Sequence, residues 1–235
     1  MRSDKAMFDK LAASSLRTLE SFRGHLRGER VFCLGTGPSL ITQPLGALEG
    51  KPVVCCNWGH LALEGAATPS WFCNVITDDH RIKELRPVLK DRSEPVFCVP
   101  CKFNVDPELY SEPFICMSPK MRSRRRVDFR KGCSIDCTFG VYLGRSVMFT
   151  AIQLAAFFGA SEIVCLGMDM NYQGARKYFD NRISTGNWNG FKYEKHGRPV
   201  LEVMRDTLGE RGIKLLDATQ GGMVDCLENI VLLKK

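Results

Sequence analysis

No stretch of this 235-residue chain stays apolar for anything near the ~20 residues a helix needs to cross a bilayer, so a helical membrane span is not expected. Residues 1–20, MRSDKAMFDKLAASSLRTLE, lack the uninterrupted apolar core of a secretory signal. A cytoplasmic protein is therefore expected, able to lie against the inner membrane surface. No glycine-rich turn carries Gly-Lys-Ser or Gly-Lys-Thr, which removes a P-loop kinase. The turn Gly35-Thr36-Gly37-Pro38-Ser39-Leu40 has no third glycine, and the next apolar run ends in Asn57 rather than an acid. A redox enzyme holding a dinucleotide in the usual way is thus not expected. Histidine is scarce, at four residues, so the candidates for a neutral-pH base are few.

Cysteine, by contrast, is abundant and odd in number, at eleven. Most thiols stand in apolar runs such as Val53-Val54-Cys55-Cys56 and Val164-Cys165-Leu166, where cysteine acts as a small hydrophobe in a reduced chain. Cys98-x-x-Cys101 and Cys133-x-x-x-Cys137 are the residues to check for zinc, but the second pair is too widely spaced, and no resident metal is expected. The net charge is +7, and Lys120–Lys131 (KMRSRRRVDFRK) concentrates seven basic residues against one acid. Such a run is either a solvated loop or a contact for an anionic glycan or lipid surface. Without interleaved aromatics or a ribonucleoprotein motif, no nucleic-acid partner is expected.

Apolar runs of strand length alternate with helical patterns. The runs at Val31–Leu34, Pro52–Cys56, Trp71–Ile76, Pro95–Val99, Pro113–Met117, Glu162–Leu166 and Gly212–Leu216 read as strands. Residues 6–27, 80–91, 145–159 and 198–209 read as helices, the third apolar nearly all round and stopped by Gly159. This alternation predicts an α/β, Rossmann-like, mostly parallel sheet with helices on both faces. The expected domains are an N-terminal helix (1–29), a nucleotide-binding domain (30–170), an inserted lid (171–196) and a return to the first domain (197–235). The N-terminal helix is expected to pack on the sheet or on a second copy in a homo-oligomer.

In such sheets, ligands collect at the carboxyl ends of the strands. Those ends carry Gly35–Ser39, with glycines and a helix start suited to phosphate, together with Asn57, Asn74, Asp78, Gly167-Met168-Asp169 and Asp217–Gly222. The lid segment adds Tyr172, Tyr178 and His196. Two phenols are suited to stabilising a departing phosphate, and a histidine to taking a proton at neutral pH. His60 and His80 also lie near strand ends and are rival bases; His25 reads as a surface residue.

Gly35-x-Gly-Pro-Ser-Leu40, Cys56-Asn57, Gly167-Met-Asp169, Tyr172-x5-Tyr178-Phe-Asp180 and His196 together resemble the bacterial lipooligosaccharide sialyltransferases, glycosyltransferase family 42. The resemblance covers roughly residues 30–220. The two glycine motifs are also similar to a wider group that includes 6-hydroxymethylpterin diphosphokinases. The first resemblance implies a GT-A-like variant with a lid, inverting and independent of metal. It implies transfer of sialic acid or a related nonulosonate from a CMP-sugar to a hydroxyl of a glycan or glycolipid. His196 would be the base, and Tyr172 and Tyr178 would hold the leaving phosphate. Gly35, Thr36, Gly37, Pro38 and Ser39 would hold phosphate and ribose, with Asn57, Trp58, Asn74, Ser146, Gly167, Met168 and Asp169 around the donor. The chain departs from the family at Thr36, Trp58 and Asn171. The second resemblance implies instead an ATP- and Mg²⁺-dependent pterin pyrophosphokinase, its cation held by Asp78, Asp79 and Asp169. A third expectation is a non-catalytic domain that binds anionic glycan or membrane through 120–131.

Overall fold

A computed structural model describes residues 13–100, 106–118, 132–172, 177–183 and 191–233. The basic run at 120–131 and Cys101 lie outside them. Eight strands form one sheet: β1 (Arg30–Leu34), β2 (Pro52–Cys56), β3 (Trp71–Ile76), β4 (Val96–Cys98), β5 (Ile115–Cys116), β6 (Glu162–Leu166), β7 (Lys214–Asp217) and β8 (Glu228–Asn229). Their order is β5-β4-β3-β2-β1-β6-β7-β8, and every pairing is parallel. The sheet is therefore all-parallel rather than mostly so. Its direction of winding reverses between β1 and β6, where register pairs Cys33 with Cys165 and Leu34 with Leu166. A crevice opens at such a switch point because the two connections leave towards opposite faces.

The central strands are buried on both faces, which explains their continuous apolar runs. Cysteine fits there because it is small: Cys33, Cys55, Cys56, Cys73 and Cys165 are wholly enclosed, and burial pushes their thiols up so that they stay protonated. Among the described residues four α-helices accompany the sheet: α1 (13–21), α2 (Asp79–Leu89), α3 (Val147–Phe157) and α4 (Arg198–Gly209). On one face α3 and α4 share a core with Leu19 and Leu26; on the other lie α2 and short 3-10 turns.

α3 begins where Ser146 Oγ accepts the Met148 N–H (3.3 Å), and the chain leaves it through Gly159 at φ 92°. Every residue from Met148 to Phe157 is buried. α2 is capped by Asp78, whose Oδ1 accepts the His80 N–H at 2.8 Å. α4 presents Val200, Leu201, Met204 and Leu208 to the core, one helical face.

The segment after α1 packs on the sheet of its own chain. Phe22 meets Trp71, Phe97 and Phe158 with ring centroids 5.4–6.2 Å apart. Leu26 N–H donates to the Phe158 carbonyl and Gly28 N–H to that of Gly159. His25 is exposed beside Trp71. No helix among the described residues is long and apolar enough to cross a membrane.

Candidate functional site

The turn after β1 is built around a carboxylate. Asp169, just beyond β6, accepts the Ser39 N–H on Oδ1 (3.1 Å) and the Ser39 hydroxyl on Oδ2 (2.7 Å). Gly35 N–H donates to the Leu166 carbonyl and Gly37 N–H to that of Gly167. A Cβ on Gly37 would stand 1.8 Å from Asp169 Oδ2, and one on Gly35 2.3 Å from the Gly167 oxygen. Gly37 has an ordinary φ of −67°, so glycine is required there by close approach and not by backbone conformation. The expected helix start is one 3-10 turn, Pro38–Ile41. With Pro38 lacking an N–H and Ser39, Gly37 and Gly35 already engaged, the amide cradle expected for a phosphate is largely spent on Asp169 and its neighbours. Thr36 remains at the surface of the turn, its carbonyl accepting the Phe179 N–H at 3.1 Å.

A cleft of about 280 Å³ opens over this switch point. Its floor is Gly35, Thr36, Gly37 and the Gly167–Asp169 turn, with Asn57 from the end of β2 and Thr77 and Asp78 from the end of β3. The N-terminus of α3, entered through Arg145 and Ser146, lines it together with Tyr172, Lys177 and Tyr178, and Tyr172 reaches Ser146 through a hydrogen bond. Two residues in the cleft, Asn57 (φ 49°) and Met170 (φ 54°), adopt the left-handed region. Asparagine tolerates that conformation; methionine does so at a cost, which marks the turn after β6 as strained at the site.

The electrostatics combine fixed and mobile positive charge. The α3 N-terminus contributes its partial charge, and Arg145 and Lys177 whole ones. Burial pushes the Tyr172 phenol well up, aided by the proximity of Tyr178 and Asp169 and opposed by a hydrogen bond with Ser146. Tyr172 therefore stays an O–H group at neutral pH and is available as a donor. Its ring packs edge-on to Phe191 at 5.0 Å.

No family model matches this chain, and no curated protein matches it. One solved structure is similar. It is the MAf glycosyltransferase from Magnetospirillum magneticum AMB-1, with a TM-score of 0.52 at 13% identity over 94% of this chain. The present chain spans 38% of that structure's length. At this identity the likeness establishes a shared α/β fold.

Of the residues singled out by sequence, the structure gathers Gly35, Thr36, Gly37, Asn57, Ser146, Gly167, Met168, Asp169, Tyr172 and Tyr178 around the cleft. Five others stand off its wall. Pro38 and Ser39 turn away behind Asp169. Trp58 packs against the Ile76–Tyr110 core and stacks on His60 at 5.9 Å. Asn74 is not at a strand end: it sits mid-strand opposite Cys55, wholly buried under the 3-10 turn that follows β2.

His196 lies behind Arg145, in a π-helical turn, Tyr193–Gly197. Its Nδ1 faces the Lys192 N–H and its Nε2 faces Arg145 Nη1, each at 3.0 Å. A neutral imidazole can accept only one of these donors. Of the rival bases, His60 is buried, which pulls its pKa down, and His80 is exposed and paired with Glu84 at 3.1 Å.

Sequence reasoning missed Arg145, Lys177, Thr77 and Met170. Each is the immediate neighbour of a residue that was singled out (Ser146, Tyr178, Asp78 and Asp169), so adjacency was the signal available for all four.

Proposed function

We propose that this chain is a glycosyltransferase that takes its sugar from a nucleotide-sugar donor, passing it to a hydroxyl of a glycan or glycolipid. The observation that carries the reading is the convergence of Tyr172, Tyr178, Arg145 and the N-terminus of α3 on one cleft. A departing phosphate gains negative charge as the glycosidic bond breaks. Neutral phenols, a guanidinium and a helix N-terminus are placed where that charge develops, and such preorganised donors are worth about 10²–10³ each in rate. A CMP-linked sialic acid or related nonulosonate is the donor we favour, on the resemblance of the sequence motifs, with Arg145 and Lys177 as the cations that line the cleft alongside Asp78 and Asp169. In this reading the reaction inverts the transferred carbon by direct displacement.

His196 is the proposed base. To act, it must present a lone pair at Nε2, so its proton must sit on Nδ1, the Lys192 N–H must give up that nitrogen, and Arg145 must exchange Nε2 for an anionic group of the substrate. The same exchange brings Arg145 onto the ligand and frees the imidazole.

A Mg²⁺-dependent pyrophosphokinase is less well supported by the donor set. Asp169 spends both oxygens on Ser39, Asp78 caps α2, and Asp79 Oδ1 accepts the Tyr110 hydroxyl. All three carboxylates proposed as cation ligands thus have structural duties. The deciding experiment is hydrolysis and transfer of CMP-linked sugars by purified protein, with EDTA and with added Mg²⁺. Turnover that survives EDTA supports the transferase; turnover of ATP that needs Mg²⁺, with no reaction or binding of any nucleotide sugar, overturns it.

A further inference from the structure

We propose that Arg81 is a positioning residue for Tyr178, turning that phenol's hydrogen towards the leaving phosphate; this rests on the transferase reading above. Arg81 lies on the first turn of α2, at 4% exposure, the helix whose start supplies Thr77 and Asp78 to the cleft. One side of its guanidinium is anchored, with Nη1 donating to Glu84 Oε2 at 2.6 Å. The other side meets Tyr178: Nη2 donates to the phenol oxygen at 3.4 Å, and the guanidinium carbon lies 5.6 Å from the ring centroid. One cation thus touches both the oxygen and the ring of a single cleft residue.

The chemistry of the pair is directional. A guanidinium has five N–H donors and no lone pair, so it can only give to the phenol oxygen. The phenol hydrogen must therefore point away from α2. Tyr178 is itself a cleft-lining residue, and in this proposal its O–H, turned from Arg81, is the donor to the leaving phosphate. A positive charge on the far side of the oxygen also strengthens the O–H as a donor, in the manner of linked hydrogen bonds. Glu84 offsets the buried charge of Arg81, so the cation is retained without an unpaired burial. Glu84 also pairs with exposed His80 through its other oxygen, which fixes the carboxylate's orientation. The chain of contacts runs Glu84, Arg81, Tyr178, cleft.

Nothing about the sequence neighbourhood of Arg81 announces this. It stands on a charged helix beside Lys83 and Glu84, where an arginine normally faces water. Its burial together with a cleft tyrosine is the unusual feature.

The test is a double-mutant cycle on the full chain with Tyr178→Phe and Arg81→Gln. A second version, Arg81→Gln with Glu84→Gln, removes both charges of the pair together and guards against misfolding from an orphaned carboxylate. Readouts are kcat and KM for CMP-sugar hydrolysis and the affinity for cytidine monophosphate by calorimetry. Arg81→Gln is expected to lower kcat about tenfold with little change in KM, and to cost almost nothing further once Tyr178 is Phe. Arg81→Lys, which keeps a cation but not the two-sided fork, should recover only part of the loss. Independent, multiplying effects of the two positions would overturn the inference while leaving the transferase reading in place. Should the wild type hydrolyse no nucleotide sugar, the transferase reading falls. The cycle is then read in the affinity for cytidine monophosphate alone: coupled losses support the Arg81–Tyr178 relay, and additive losses or no binding overturn it.

Discussion

Ser39 gives both its N–H and its hydroxyl to Asp169, 130 positions away in the chain, at 3.1 and 2.7 Å. This double contact ties the turn after β1 to the turn after β6 across the point where the sheet reverses. Gly37 is glycine because that carboxylate occupies the space a side chain would need. Gly37→Ala should therefore destabilise the fold by about 2–4 kcal/mol, as a forced clash with a buried group. Asp169→Asn, which keeps the shape and can still accept from the Ser39 N–H, should cost about 1 kcal/mol or less. Urea unfolding of the two variants measures this, and equal losses would show that the clasp does not explain the glycine.

A second prediction concerns Asp217, buried at the end of β7. Burial lifts its carboxyl from the ordinary 3.8 to about 6, nearby Asp169 adding to the effect, while its hydrogen bonds with Thr219 oppose it. Between those two values the folded protein keeps a proton that the unfolded chain has released. Stability from this group therefore falls as pH rises from about 4 to about 6, and is level above that. Asp217→Asn removes the dependence. Its stability relative to the wild type should improve by up to about 3 kcal/mol between pH 4 and pH 7. Denaturant midpoints at the two pH values test the claim; a constant difference would refute it.

Third, the two cleft phenols should act mainly on turnover. Tyr172→Phe and Tyr178→Phe are each expected to lower kcat for donor hydrolysis by about 10² with KM near the wild-type value. Tyr172→Phe keeps the ring and loses the hydrogen bond with Ser146, which should cost about 1 kcal/mol and leave the variant folded. Unchanged kcat in both variants would remove the phenols from the mechanism.

Fourth, Arg145 and His196 should separate kinetically although they touch. Arg145→Gln should raise KM for an anionic donor, and the defect should shrink when salt screens the wild type. His196→Ala should instead lower kcat for transfer to the acceptor by about 10²–10⁴, with donor binding retained. A loss confined to KM in His196→Ala would assign that residue to binding.

Much of the sheet could be read in advance. Strands β2, β3 and β6 match their apolar runs residue for residue, because a strand covered on both faces needs an unbroken run and turns polar where it surfaces. β8 was missed: Glu228–Asn229 is exposed and held only by backbone pairing to Leu216 and Asp217, which leaves no apolar signal. Half of the site was legible for a similar reason. Residues that end strands declared themselves, whereas the Asp169–Ser39 clasp is a long-range contact with no local period. It explains why Gly37, which suggested ligand approach, makes room for a neighbour's carboxylate.

α3 is enclosed from Met148 to Phe157, leaving Val147 as the one residue of the helix that lines the cleft without being fully covered. A helix with no free face has no position at which charge can be altered without disturbing the core. The end that lines the cleft is thus under the same selection as the fold. Change in donor or acceptor preference among descendants of this chain should accumulate instead at Thr36, Arg145 and Lys177, the loop residues beside it.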